Sequence, residues 1–292
     1  MNRFETASVE LDGVRFPYLA RGAGPLLLCL HGFPDHPSSF AGQLETFSAA
    51  GYRVVAPFMR GYAPAGARAP EHFQGAVLAR DAIGLIDALG GGRAVLLGHD
   101  WGAFAAYGAA LLAPEKVAKL IALAVPYGPG FGRALVANPR QQRRSWYMYF
   151  FQMPFAEAAL ARDDFAFLDR LVAEWSPGLA PDPEYRETVK AMFRQPGVAQ
   201  AALNYYRHAF RPDLQSPALR RHQERLGQEP IQVPTLYLHG ADDGCIGAEV
   251  AQDMAALFPR GLTTQIVPGA GHFLHREKPR VVEEAVLRFL AE

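Results

Sequence analysis

The chain has 292 residues, half of them hydrophobic and a fifth charged, with 29 basic and 29 acidic side chains and a formal net charge of zero. This composition supports a sizeable core and excludes a disordered chain, and with no basic excess it argues against a nucleic-acid partner. The length suits one α/β unit carrying an insertion.

The opening Met1 to Arg15 alternates polar and apolar residues without an apolar h-region, so no signal peptide is expected. Ala7 to Ala20 reads as two short strands around the Asp12-Gly13 turn. Pro25 to Leu30 is a buried strand running into His31-Gly32-Phe33-Pro34, and Gly51 to Pro57 is another. Apolar residues at helical spacing predict a helix over Ser38 to Ala50 and a second over Glu71 to Leu89, the latter closed by Gly90-Gly91-Gly92. Val95-Leu96-Leu97 then runs into Gly98-His99-Asp100-Trp101-Gly102 and a small-residue helix, followed by a strand over Lys119 to Val125. From about 128 to 228 the chain is aromatic, Arg-rich and helical in period, without a convincing strand. Arg140, Arg143 and Arg144 read there as a solvated helix face. Strands resume at Gln232 to Leu238 and Thr263 to Val267, with helices over Ala248 to Phe258 and Arg280 to Leu290. Strands alternating with helices imply a mostly parallel sheet covered on both faces. The predicted organisation is a core over 1–127 and 229–292 with a helical cap over 128–228. Cys29 and Cys245 have neither metal-ligand spacing nor the number for a disulfide scaffold. No stretch approaches the ~18 consecutive apolar residues of a membrane span, so a cytoplasmic protein is expected.

The segment from Gly98 to Gly102 organises the rest. A strand, a sharp turn and a helix place an acid between two glycines, where the backbone of the residues before and after it must pass too closely for larger side chains. The bland alternative is an ordinary turn in which Asp100 caps the helix. As a nucleophile, a carboxylate differs from a serine hydroxyl in one respect. After attack on an sp3 carbon it leaves an ester whose carbonyl belongs to the enzyme, and water can cleave it. Asp100 therefore points to epoxides or alkyl halides.

Ligands of an open parallel sheet sit beyond the carboxyl ends of its strands. The Phe33 amide, with the Trp101 amide, makes a candidate two-donor oxyanion hole there, the plain alternative being a His31 to Pro34 turn that merely ends its strand. Of nine histidines, His36, His72, His208 and His222 read as surface or cap residues, His99 as core and His239 as a strand end. His272, between Gly271 and Phe273, is the candidate base, with His275 the runner-up in a more polar segment. Asp243 or its neighbour Asp242 would orient the imidazole.

These motifs, in this order, resemble the epoxide hydrolases of the α/β-hydrolase fold over essentially the whole chain. His31-Gly32-Phe33-Pro34, Gly98-His99-Asp100-Trp101-Gly102, Gly240-Ala241-Asp242-Asp243 and Gly271-His272-Phe273 are similar to that family's oxyanion, nucleophile, acid and histidine motifs. The resemblance implies Asp243 rather than Asp242, and two ring-opening tyrosines. Trp146 to Pro154 maps one onto Tyr147 and Leu203 to Arg207 maps the other onto Tyr206, with Tyr149 and Tyr205 expected to turn away. It further implies hydrolysis of an apolar epoxide to a vicinal diol, with water as the other reactant and no cofactor or metal. No membrane partner is implied, and a homodimer is left open. Two segments depart from the family pattern, Phe58 to Ala65 and His36-Pro37-Ser38, and both are expected to line the mouth of the crevice. A haloalkane dehalogenase shares the Asp nucleophile, and a non-catalytic ligand receptor shares the fold.

Overall fold

The computed structural model describes residues 3–63, 70–90 and 92–292; the Pro64-Ala65 end of the departing segment and Gly91 lie outside them. Strands β1 (Glu5–Leu11) and β2 (Val14–Arg21) form the expected hairpin. They are followed by β3 (Leu26–Leu30), α1 (Ala41–Ala49), β4 (Arg53–Pro57), α2 (Gly75–Ala88), β5 (Ala94–His99), α3 (Trp101–Leu112) and β6 (Val117–Leu123). Next come α4 (Gly130–Ala137), α5 (Pro139–Arg144), α6 (Trp146–Phe150), α7 (Ala156–Trp175), α8 (Pro183–Phe193), α9 (Val198–Phe210) and α10 (Arg220–Arg225). The chain closes with β7 (Thr235–Gly240), β8 (Leu262–Val267), α11 (Leu274–Glu277) and α12 (Pro279–Ala291). No helix among the described residues is long and apolar enough to cross a membrane.

The eight strands form one sheet in the order β1-β2-β4-β3-β5-β6-β7-β8, parallel from β4 to β8, with β2 antiparallel to both β1 and β4. Alternation along each strand divides the core between two faces. Leu28, Leu96, Leu120 and Ala122 pack toward α2 and α3, whereas Leu27, Leu97, Ile121 and Leu236 pack toward α1 and α12. The chain leaves β3 for β4 on one side and finds β5 on the other. This is the reversal of strand order at which a crevice opens beyond the strand ends. Between β6 and β7 the described residues contribute helices alone.

Four predicted elements are corrected. The strand expected to reach Val125 stops at Leu123 because Ala124 takes a positive φ of 66°. The strand expected from Gln232 begins only at Thr235, since Pro234 has no N–H to give to a central ladder. The helix expected over Ala248 to Phe258 is two separate single turns, Ala248–Ala251 and Ala255–Leu257. There the Leu257 carbonyl accepts from the Ile231 N–H at 2.8 Å, which anchors the segment to an outside strand of chain rather than to a helical ladder. The helix expected from Glu71 starts at Gly75, after an irregular stretch whose Phe73 N–H is taken by His208 Nδ1.

The elbow is built by close backbone contact. A Cβ on Gly98 would lie 2.3 Å from the Gly102 carbonyl oxygen, and one on Gly102 only 2.0 Å from the carbonyl oxygen of Leu30 on β3. Gly102→Ala is therefore expected to destabilise the protein by about 3 kcal/mol through forced overpacking. Gly132→Ala, where nothing lies within 4 Å, should stabilise α4 by roughly 0.5–1 kcal/mol. Urea denaturation of the two variants checks both signs.

Candidate active site

Asp100 sits between β5 and α3 with φ 52° and ψ −120°, a conformation strained for a residue with a side chain. Its carboxylate makes no capping hydrogen bond to α3, which removes the bland reading of the motif. It turns instead into the crevice, 5% exposed, where Oδ1 accepts from the Phe33 N–H at 2.7 Å. Gly32 permits that approach, since a Cβ there would stand 2.2 Å from Asp100 Oδ1. Trp101 opens α3 immediately afterwards, so its amide is among those a helix leaves without an internal partner.

His272 lies beyond β8, with Nε2 3.5 Å from Asp100 Oδ2 and Nδ1 2.9 Å from Asp243 Oδ2. The His272 carbonyl accepts from His99 Nε2 at 3.0 Å, and its N–H donates to the Trp175 carbonyl at 3.0 Å. Asp243 is fixed in turn by the Cys245 and Ile246 N–H groups, which donate to Oδ1 at 2.7 and 2.9 Å. Gly240 lets the two loops touch, for a Cβ there would meet the Gly271 oxygen at 2.1 Å. Asp242 is exposed at the surface.

Burial opposes charge on His272, but the flanking Cys245, Asp243 and Asp100 side chains outweigh it and hold the imidazole well above its ordinary pKa. Burial likewise works against the Asp243 anion, and the charge of His272 with hydrogen bonds from His239 and His272 keeps the carboxyl well below the usual range. The charged imidazole and the Asp243 carboxylate thus favour each other's ionised forms.

The cap brings Tyr147 from α6 and Tyr206 from α9 over this group, with ring centroids 5.6 Å apart and both side chains buried. The Gln152 side chain ties the two segments by donating to the Met148 and Tyr206 carbonyls. Burial, with Asp100 adding to it, raises both phenols well above the ordinary tyrosine value and keeps them protonated donors. Tyr149 is 41% exposed and turned away, as expected. Tyr205 is not turned fully away: its ring lines the chamber while its hydroxyl donates to the Arg60 carbonyl at 2.7 Å.

Two expectations are corrected here. His275 is buried rather than part of a polar surface, stacked on Phe40 and 3.9 Å from Asp35 Oδ2. The departing segments His36-Pro37-Ser38 and Phe58 to Ala63 do not line the chamber; His36 and Phe58 pack on each other at 4.8 Å instead. Three residues near the site carried no recognisable signal. Trp175 packs its ring 4.7 Å from Tyr147 and 5.4 Å from His272. Cys245 Sγ lies 3.3 Å from Tyr147 Oη. Asp35 accepts from Ser39 Oγ at 3.0 Å and from Tyr185 of the cap. Among the described residues, two donor sets are compact enough to share an ion, Asp35 with His99 and His275, and Asp243 with Cys245 and His272. In the second, Asp243 and His272 are already hydrogen-bonded to each other.

Residues 25–279 match the family model described as alpha/beta hydrolase fold. The chain is 34% identical to "Epoxide hydrolase 4" of Homo sapiens, over 97% of this chain and 78% of that protein. It is 31% identical to "Epoxide hydrolase A" of Mycobacterium tuberculosis, over 97% and 96% respectively. The chain belongs to the epoxide hydrolase family. Among solved structures, a point mutant of a Bacillus megaterium epoxide hydrolase, complexed with a naphthyloxy-propanediol product, superposes with a TM-score of 0.84. It is 29% identical, over 98% of this chain and all of that one.

In this hydrolase, Asp243→Asn is expected to remove the charge that sustains the imidazolium, so the His272 pKa should fall in an NMR titration. Asp242→Asn, at an exposed position, should leave that titration unchanged.

Proposed function

We propose that the chain hydrolyses an apolar epoxide to a vicinal diol in two steps, through an ester on Asp100. The observation that carries this reading is the buried Asp100 carboxylate, held by the Phe33 amide and His272 on one side and roofed by two protonated phenols on the other.

In the first step an Asp100 oxygen forms a bond to a ring carbon and the carbon–oxygen bond of the epoxide breaks. An alkoxide leaves poorly, and Tyr147 and Tyr206 meet the developing charge with hydrogen bonds and a proton. Ester formation then cancels the negative charge at position 100. One of the side chains sustaining the imidazolium is gone; the proton His272 gives up makes good the one the phenols lost to the alkoxide, and the group that was an ion-pair partner becomes a base. Water loses a proton to His272 Nε2 and attacks the ester carbonyl. The Phe33 and Trp101 amides hold the tetrahedral oxyanion, Asp243 steadies the recharged ring, and the diol departs with Asp100 regenerated. Epoxide and water are the only partners this scheme requires.

One observation favours a second reading, displacement of halide from an alkyl halide by the same carboxylate. The indole N–H groups of Trp101 and Trp175 are buried at the site without a protein acceptor among the described residues, and a leaving halide needs donors but no proton. Bromide release from 1-bromobutane, set against diol formation from styrene oxide, separates the two.

His272→Gln is expected to stop at the first step, and mass spectrometry of the Asp100 peptide should show an adduct of intact substrate mass. Tyr147→Phe with Tyr206→Phe should lower epoxide turnover by about 10²- to 10⁴-fold, the usual worth of a positioned proton donor. Unchanged turnover in that double variant would overturn the assignment of the phenols.

A further inference from the structure

We infer that this site takes terminal epoxides carrying one uncharged, flat apolar substituent, and turns away epoxides substituted on both ring carbons. The inference rests on Asp100 being the nucleophile of an epoxide hydrolase and concerns what surrounds it.

A cavity of about 320 Å³ extends from the carboxylate past Trp101, Phe104 and Tyr107 of α3 toward Phe131, Leu135 and Phe210 of the cap. This volume is at the small end of the ~300–1,000 Å³ typical of small-molecule sites. Among the described residues that line it, Asp100 is the only one with a charged side chain. Aromatic faces with no countercharge favour a flat neutral group and penalise an ionised one, which would have to shed its water unpaired.

On the opposite side the carboxylate faces a wall. The Phe33 ring lies 5.4 Å from Tyr206, 5.5 Å from Phe151, 5.9 Å from Phe193 and 6.2 Å from Trp175, and each of these rings is at most 1% exposed. Trp175 continues the wall to His272 and Tyr147.

Behind the wall lies a second cavity of about 280 Å³ that shares no lining residue with the first. Three segments show how thin the partition is. Phe33, Trp175 and His272 belong to the reaction site, while the residues that follow them, Pro34, Ser176 and Phe273, line the second cavity. Val189 and Lys190 of α8 line it too, and α8 ends by setting Phe193 against Phe33.

An epoxide held between Asp100 and the phenols has two ring carbons pointing opposite ways. The substituent on one enters the aromatic channel. The other carbon meets packed rings and is accommodated only if it carries hydrogens, because close-packed interiors resist even one added methyl.

The test compares kcat/KM of the wild-type protein for styrene oxide, trans-β-methylstyrene oxide, trans-stilbene oxide and 4-(oxiran-2-yl)benzoate. The added methyl should lower kcat/KM by about 10- to 100-fold, the discrimination a pocket exerts against one extra carbon. Trans-stilbene oxide and the benzoate should show no turnover above background. Phe193→Ala, which removes a ring backing the wall, should raise the ratio of trans-β-methylstyrene oxide to styrene oxide by about 10-fold. If that variant fails to fold, the wild-type series alone decides. Equal kcat/KM for styrene oxide and its trans-methyl derivative would overturn the inference while leaving the hydrolase reading intact. Diol from none of the four would instead overturn the hydrolase reading.

Discussion

A carboxylate kept ionised out of bulk water is the constraint on which the rest of the structure depends. An ion pair at the separation of Asp100 and His272 is worth about 4 kcal/mol gross at an effective dielectric near 20. Desolvation costs each ion several kcal/mol, so the pair alone does not settle the matter. Amide donors supply the difference. The Phe33 N–H serves Asp100, and the Cys245 and Ile246 N–H groups serve Asp243. Each donor comes from a loop at a carboxyl strand end, after β3 or β7. The parallel order of the sheet is what brings them together.

Core and cap divide the work. The core holds the charges, and its side chains there are fixed by backbone contacts too close for any residue but glycine. The cap supplies neutral donors and the aromatic enclosure, and it is tied down by polar links that avoid the reacting groups. Tyr185 of α8 bonds Asp35, Arg276 pairs with Asp182 at 3.1 Å, and its guanidinium lies 3.6 Å from the Tyr185 ring. Gln141 of α5 donates to the Cys245 carbonyl at 2.8 Å and accepts from the Gly247 N–H at 3.0 Å. The loop that fixes Asp243 is therefore clamped from the cap side as well. A shift of α5 would reach Asp243 through that loop and, through Asp243, His272.

The legibility of these features in the sequence follows from how local their causes are. The elbow was readable because its glycines, its acid and its flanking strand lie within nine residues, and the same holds for the Gly271-His272-Phe273 turn. Phe33 and Asp243 were readable as strand-end residues once the alternation of strands and helices had been recognised. The phenols were not readable from pattern, since a cap so rich in aromatics offers no periodicity that separates Tyr206 from Tyr205; resemblance singled them out. His275 was misread because its burial is decided by Phe40 and Asp35, more than 200 residues away in sequence. The broken helix after Gly247 shows the same limit. Its apolar spacing is helical, yet the segment folds as two single turns whose end is held by the distant Ile231 N–H at the Leu257 carbonyl. The wall of Phe33, Trp175 and Phe193 joins three separated segments, and no single stretch of sequence announces it.

Of the three tryptophans in the chain, two stand at the reacting group: Trp101 directly follows Asp100, and Trp175 lies against His272. An indole's emission responds to nearby charge, and the proposed ester formation would abolish one charge and then another beside these rings. The third, Trp146, sits against Phe150 and Phe167. On the proposed scheme the molecule would carry its own optical reporter, and ultraviolet excitation alone would follow the filling and emptying of the covalent state without a dye or a chromogenic substrate.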